Sequence, residues 1–293
     1  MARRPRLQVA GAVYHVMARG NRKSTIFHDD EDRQRFLVII ADAAAAYDLR
    51  VLAFCLMGNH YHVVLETPRR NLSDAMQFIN GVFAQRSNRR HRQTGHVFEG
   101  RFRSLIIERE SYLTRATRYV VRNPVRAHLV TGAAAWPWSS YGATAGLTPL
   151  PSWLHVEWIK WAFDADSLAE AQQRYTEYVN APTEPRPRID LNADVLGTRR
   201  FKASLLEAVR AGHGDRLIPF EARELVRPPL TALFDKESDE SAGRDRLIQL
   251  ARMEHGYRLA EIARFLGIDR STASRAVTRW QQKNAAGPDG EAG

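Results

Sequence analysis

Two histidines stand one residue apart inside an apolar run, "NHYHVVLE", residues 59–66. Alternate side chains of a strand share a face, so His60 and His62 point one way while Tyr61 and Val63 point the other. Their Cα atoms lie roughly 7 Å apart at the rise of a strand, near enough for both imidazoles to reach one ion. Imidazole suits many transition ions, whereas Mg²⁺ and Mn²⁺ prefer oxygen donors and would need mixed ligation. A histidine pair alone fits the polar face of a strand equally well. A second stretch, "RYVVRNPVRAH", residues 118–128, adds to it. Tyr119 and Asn123 are four apart, hence neighbours on one helical face. Asn123 offers a neutral oxygen ligand, and Tyr119 a phenol one turn away. Two histidines and an amide oxygen around a cation, with a tyrosine beside it, suit attack on phosphorus. The cation polarises a phosphoryl oxygen, and the tyrosine forms a covalent intermediate. Pro124 disfavours helical geometry at Asn123, so the helix is expected to end or kink there. The competing reading makes Tyr119 a half-buried aromatic on an amphipathic helix, capped by Asn123. Tyr112, two turns earlier, is a rival nucleophile, but the residue four beyond it is Ala116.

These residues need elements to hold them. Residues 9–19, "VAGAVYHVMAR", read as a strand in which Val13, His15 and Met17 alternate with Tyr14, Val16 and Ala18. "DDEDRQRFLVIIADAAAAY" has acidic residues at its start and apolar ones at helical spacing, predicting a helix from about Asp30 to Tyr47. "LRVLAFCLMG" and "NHYHVVLET" read as two strands joined by a tight turn at Met57-Gly58-Asn59. "NLSDAMQFINGVFAQRSNRRH" opens on a polar cap and predicts a helix. "GHVFEGRFRSLIIE" reads as a long strand or bent hairpin, and "RESYLTRATRYVVRNPVRAHLV" as a helix interrupted at Asn123-Pro124. The order β-α-β-β-α-β predicts an α+β fold, a split βαβ (ferredoxin- or RRM-like) arrangement. It has one antiparallel sheet with helices on one face and the other face left for a ligand.

The chain has 293 residues and a net charge of +10, unevenly spread. Residues 1–130 hold 22 basic against 11 acidic residues, residues 131–242 hold 12 against 16, and residues 243–283 hold 9 against 4. Only five of the 43 basic residues are lysine. Arginine contacts phosphates bidentately and stacks on bases, so two arginine-rich blocks point to two nucleic-acid-binding regions. The plain alternative is that basic surface only aids solubility. The single cysteine, Cys55, excludes an intrachain disulfide and a cysteine-based zinc site. No signal peptide and no apolar run of about 20 residues is legible, so a cytoplasmic, nucleoid-associated protein with no membrane partner is expected.

The segments so far resemble known ones. "GNHYHVVLE" has the His-hydrophobic-His form of the HUH nucleases, and "RYVVRNPVRAHLV" resembles the Tyr-x-x-x-Asn-Pro-x-x-Ala signature of the single-tyrosine transposases. "YHVMARGNRKSTIF" and "GHVFEGRFRSLII" are similar to segments of the REP-associated tyrosine transposases, named for repetitive extragenic palindromes. The resemblance spans residues 9–141 and leaves 150–293 uncovered. It implies that His60, His62 and Asn123 hold Mg²⁺ or Mn²⁺ and that Tyr119 is the nucleophile. It further implies single-stranded hairpin DNA as substrate, a 5′-phosphotyrosine intermediate and a free 3′-OH. Arg19, Arg22 and Lys23 after the first strand, and Arg101 and Arg103 around Phe102, are the expected contacts to that strand. Basic groups track phosphates and a ring can stack on a base. Phe98 and Phe102 fit a core equally well. Arg89, Arg90, His91 and Arg92 read as a solvated helix end.

Near the C-terminus, "LAEIARFLGIDRSTASRAVTRW", residues 259–280, fits a helix-turn-helix. Ile262, Leu266 and Ile268 supply the core, Ala263 is small where helices cross, Gly267 permits the turn, and Ala273, Ala276 and Val277 face inward. Arg270, Ser271, Thr272, Ser274, Arg275 and Arg279 remain exposed for a major groove of duplex DNA. The segment resembles the duplex-binding module of the chromosomal replication initiator. A packing role for the two helices is the alternative. The expected organisation is a catalytic domain over 1–141 and a mostly helical connecting region over 142–242. A DNA-binding domain over 243–283 and a disordered tail over 284–293 complete it. "WPWSSYGATAGLTPLPSW" carries aromatics enough to be an ordered crossing. Rival functions are a non-catalytic regulator that binds hairpin DNA and a replication-initiator or relaxase-type HUH nuclease.

Overall fold

The computed structural model describes residues 7–182, 195–212, 229–234, 241–253, 257 and 259–285. The described residues divide into two compact units, one between Gln8 and Thr198 and the other from Arg199 onward.

In the first unit the order is β1 (Ala12–Arg19), α1 (Asp30–Tyr47), β2 (Arg50–Leu56), β3 (His60–Thr67), α2 (Leu72–His91), β4 (Arg103–Ile107) and α3 (Arg109–Val121). Then come α4 (Asn123–Arg126), α5 (Tyr141–Thr144), α6 (Trp158–Ala162), α7 (Leu168–Asn180) and a two-residue strand, β5 (Val195–Leu196). The sheet order is β2-β3-β1-β4-β5. The first four strands are antiparallel, as expected from the alternating pattern. β5 adds a short parallel edge within the connecting region, which was expected to be mostly helical. The long strand foreseen from Gly95 contracts to Arg103–Ile107, with one bridge from Gly20 to Phe98 before it.

Helices cover both faces of the sheet, which corrects the expectation of one open face. Tyr14, Val16, Tyr61 and Leu65 point into the layer of α1 and α2, where Phe36 and Phe83 pack. Val13 and Val64 point to the opposite side, into a core with Leu113, Ala116 and Val120 of α3 and Trp158 and Tyr175. β1 and β3 are accordingly buried along almost their whole length. Strands buried on both faces read as near-continuous apolar runs, and "HVVL" does so.

The aromatic crossing is ordered because its polar groups satisfy the free edge of β2. The indoles of Trp136 and Trp158 donate to the carbonyls of Leu56 (3.0 Å) and Leu52 (3.3 Å). The amides of Ser140 and His155 donate to those of Phe54 and Val51. An edge covered in this way cannot pair with another chain. Of the connecting region, residues 183–194, 213–228 and 235–240 lie outside the described residues.

The second unit contains α8 (Arg199–Gly212), α9 (Leu230–Phe234), α10 (Ser241–Met253), α11 (Leu259–Leu266) and α12 (Arg270–Ala285). Its core joins Phe234, Ile248, Ala251 and Tyr257 to Ile262, Ala263, Ala273, Ala276 and Val277, the inward positions read from sequence. Gly267 turns between α11 and α12 at φ +64°, a conformation that costs a glycine little. Of the expected tail, residues 284 and 285 end α12 and the rest lies outside the described residues.

Candidate active site

The site is assembled from β1, β3 and α3. The antiparallel register sets Arg19 opposite His60 and Met17 opposite His62. These four side chains therefore share the face that α3 partly covers. The His60 and His62 rings lie 5.1 Å apart and nearly perpendicular. His15, diagonal to His62 on β1, enters the same cluster. Its Nε2 lies 2.8 Å from His62 Nδ1, and both residues are 2% exposed. Sequence reasoning placed His15 on a strand but gave it no role. Its signal was the parity it shares with Val13 and Met17, which becomes informative only once β1 is known to pair with β3.

Burial keeps the histidines neutral. It lowers His60 to about 4, with a smaller push from the Arg19 charge. It lowers His15 to about 4 and His62 well below its ordinary value. Neutral imidazole is the form that ligates metals. The proton of His60 can be located. Asn59 Nδ2 donates to the Lys23 carbonyl at 3.0 Å, which turns Asn59 Oδ1 toward His60 Nδ1 at 2.7 Å. That oxygen only accepts, so Nδ1 carries the hydrogen and Nε2 keeps its lone pair for an outside partner.

Tyr119 is the tyrosine that α3 delivers to the cluster. Its ring lies edge-on to His15 and His62, 5.9 Å from each, and the Arg126 guanidinium sits 4.5 Å over its face. Tyr112 instead packs under Arg115. The helix breaks as Pro124 required. α3 ends at Val121, Arg122 takes a non-helical ψ of 4°, and α4 restarts at Asn123. Two arginines fix the end of α3. Arg118 and Arg122 both donate to the carbonyls of Val179 and Ala181, where α7 ends. Cations are favoured there, at a helix C-terminus.

Asn123 follows Tyr119 by one turn, and its buried Nδ2 has no hydrogen-bond partner. A buried amide atom without a partner is rare in proteins and points to something outside the chain. Exchanging the two amide atoms, which are hard to tell apart, presents the oxygen in that place. Among the described residues no three His, Cys, Asp or Glu side chains converge as a metal site. A cation between His60 and His62 therefore needs a ligand of another kind, and the Asn123 amide oxygen suits that donor set.

Two stretches of the chain match families of known proteins. Residues 8–123 match the family described as transposase, IS200 like. The matched stretch ends at Asn123 and so includes His15, His60, His62, Tyr119 and Asn123. Residues 242–289 match the homeodomain-like family, in keeping with the turn between α11 and α12. No curated protein matches the chain. One similar solved structure is a REP-associated tyrosine transposase bound to a REP hairpin. It shares 18% identity with a TM-score of 0.44, covering 53% of this chain and 93% of that one. Another is described as a transposase from Deinococcus radiodurans R1, with 18% identity, a TM-score of 0.30 and coverage of 44% and 92%.

Around the histidine site the expected DNA-contacting residues separate. Arg22 and Lys23 are exposed on a single tight turn at φ 52° and 62°, held against Asn59 by the Lys23 carbonyl. Gly20 lets that turn close, since a Cβ there would meet the Ser24 carbonyl oxygen at 2.0 Å. Arg101 and Arg103 are exposed, but Phe102 is only 7% exposed and Phe98 8%. Phe102 is a core ring and is not offered to a base, contrary to the expected contact set. Arg90 and His91 are not a solvated helix end. Arg90 bridges Asp29, Glu31 and the buried Asp32, and His91 also meets Asp32, tying the end of α2 to the start of α1. On α12, Arg270, Ser271, Ser274 and Arg275 are exposed and Thr272 is half-buried. Arg279 is held by Asp245 of α10 through two 2.8 Å contacts, so it is not an uncommitted contact to DNA. Among the described residues no helix is long and apolar enough to cross a membrane.

Proposed function

We propose that the protein is a metal-dependent endonuclease and strand transferase acting on single-stranded hairpin DNA of the REP kind through Tyr119. The observation that carries this reading is the packing of the Tyr119 ring against His15 and His62, beside His60. It puts the one tyrosine followed by Asn-Pro at the histidine face. His60 and His62, with Asn123, would hold the cation, and two nitrogen donors suit Mn²⁺ better than Mg²⁺. Bound there, a divalent cation supplies Lewis-acid polarisation of a phosphoryl oxygen.

The chain's own groups do the rest. Tyr119 Oη forms a bond to phosphorus as the bond from phosphorus to the 3′ oxygen breaks. The phenolic proton leaves and the departing 3′ oxygen gains one, so cleavage yields a 5′-phosphotyrosine and a free 3′-OH. The bond energy is kept in the ester, and a new 3′-OH can reverse the step without ATP. Arg126 fixes the attacking ring from above by a cation–π contact. Arg19, Arg22, Lys23, Arg101 and Arg103 supply positive charge for the strand backbone. The second unit would hold duplex DNA through Arg270, Ser271, Thr272, Ser274 and Arg275, and the protein would work in the cytoplasm on chromosomal DNA.

The test is covalent attachment. Labelled single-stranded hairpin DNA, incubated with Mn²⁺, should yield an adduct on a denaturing gel with the wild type. Tyr119→Phe should give none while still binding the hairpin. An adduct that survives in Tyr119→Phe and disappears in Tyr112→Phe would move the nucleophile to Tyr112. Full cleavage in excess chelator, or in both His60→Ala and His62→Ala, would remove the metal from the mechanism.

A further inference from the structure

The two expected ligands have different supports. His60 Nδ1 faces an amide oxygen whose orientation is itself fixed, so its Nε2 is necessarily the free nitrogen. His62 Nδ1 faces another imidazole, which can either donate or accept. If His15 Nε2 donates, His62 Nδ1 accepts, and the neutral His62 ring carries its hydrogen on Nε2. That ring cannot ligate through Nε2. If His15 Nε2 accepts, its own hydrogen lies on Nδ1. His62 then donates from Nδ1 and presents a bare Nε2, as His60 does.

We propose that His15 is a positioning residue that accepts the Nδ1 hydrogen of His62 and so holds the second ligand in its metal-binding tautomer. The inference rests on reading His60 and His62 as ligands. Three features favour it over simple core packing. Both rings are 2% exposed, so no water can substitute for either partner. The 2.8 Å contact is a full hydrogen bond between residues 47 apart in sequence, brought together by the register of β1 on β3. A core position filled for bulk alone would take an apolar residue, since an imidazole buried there requires a partner. Partners that hold the second nitrogen of a ligating histidine typically contribute tenfold to a hundredfold in metal affinity.

The experiment uses the full chain and two readouts. Calorimetry with Mn²⁺ compares the wild type with His15→Phe, which keeps the ring packed on His62 and Tyr119 but has no acceptor. It also includes His15→Gln, whose side-chain oxygen can reach the place of Nε2. Affinity should fall by roughly tenfold to a hundredfold in His15→Phe and return to within a few-fold in His15→Gln. Long-range proton–nitrogen spectra of the ¹⁵N-labelled wild type with Mg²⁺ should show hydrogen on Nδ1 of His15, His60 and His62. Wild-type affinity in His15→Phe, or hydrogen on Nε2 of Mg²⁺-loaded His62, overturns the proposal. If His15→Phe does not fold, the His15→Gln affinity and the spectrum decide: a large loss in His15→Gln overturns it. Absence of Mn²⁺ binding by the wild type defeats the ligand reading and this inference with it. Intact wild-type binding with an unaffected His15→Phe defeats the inference alone.

Discussion

The buried histidines make the first unit sensitive to acid, and the size of the effect follows from their surroundings. The perturbation is a fall from pH 7.5 to pH 5 with chelator present, so that no cation is linked to the titration. In the unfolded chain His15 takes up its proton near 6.5, and in the folded protein only near 4. Between those values the unfolded state binds the extra proton, so stability is complete above about 6.5 and is lost as the pH falls toward 4. At pH 5 an unfolded histidine is almost wholly protonated and His15 is mostly not. One such group then removes about 2 kcal/mol. His60, also lowered to about 4, shifts stability in the same direction. The assay is urea unfolding followed by tryptophan fluorescence, because five of the six tryptophans lie between residues 136 and 161, in the first unit. A loss of about 2 kcal/mol lowers the midpoint by roughly 1 M urea. Identical midpoints at the two pH values, or a higher one at pH 5, would refute the claim that these rings are held neutral by burial.

Other outcomes follow from particular contacts. Asp32→Ala removes a buried carboxylate that accepts from the His28 amide, Arg90 and His91. The expected loss lies at the lower end of about 3–5 kcal/mol, since Arg90 keeps Asp29 and Glu31, and the same urea titration reads it. In the second unit, Arg275→Ala should weaken duplex binding by roughly 1–3 kcal/mol at a preferred sequence if the guanidinium reads a base edge. Equal weakening across all duplexes in a gel-shift series would assign it to phosphate instead. Truncation after residue 242 should abolish duplex affinity and leave hairpin cleavage in place. Cleavage lost from a folded truncation would show that the C-terminal residues help to build the active site.

Features whose information is local could be read before any fold was known. Period-two and period-3.6 apolar patterns set β1 to β3, α1, α2 and α3 close to where they stand, and acidic residues before "RFLVII" marked the start of α1. A break after Tyr119 was legible from Pro124, although it falls at Arg122 and Asn123 itself opens α4. The inward face of α11 and α12 was legible for the same reason. Strand alternation sufficed to put His60 and His62 on one side of β3. Which partner that side meets is a long-range question, and only the tertiary structure decided it. The register of β1 on β3 brings His15 to His62 across 47 residues, and α3 crosses the face that alternation alone left open. Phe102 was misjudged, and the Asp245 partner of the exposed Arg279 was missed, for the same physical reason. Whether a ring is buried, or a guanidinium already has a carboxylate, depends on residues far away in the chain, and Asp245 lies 34 residues before the arginine it holds.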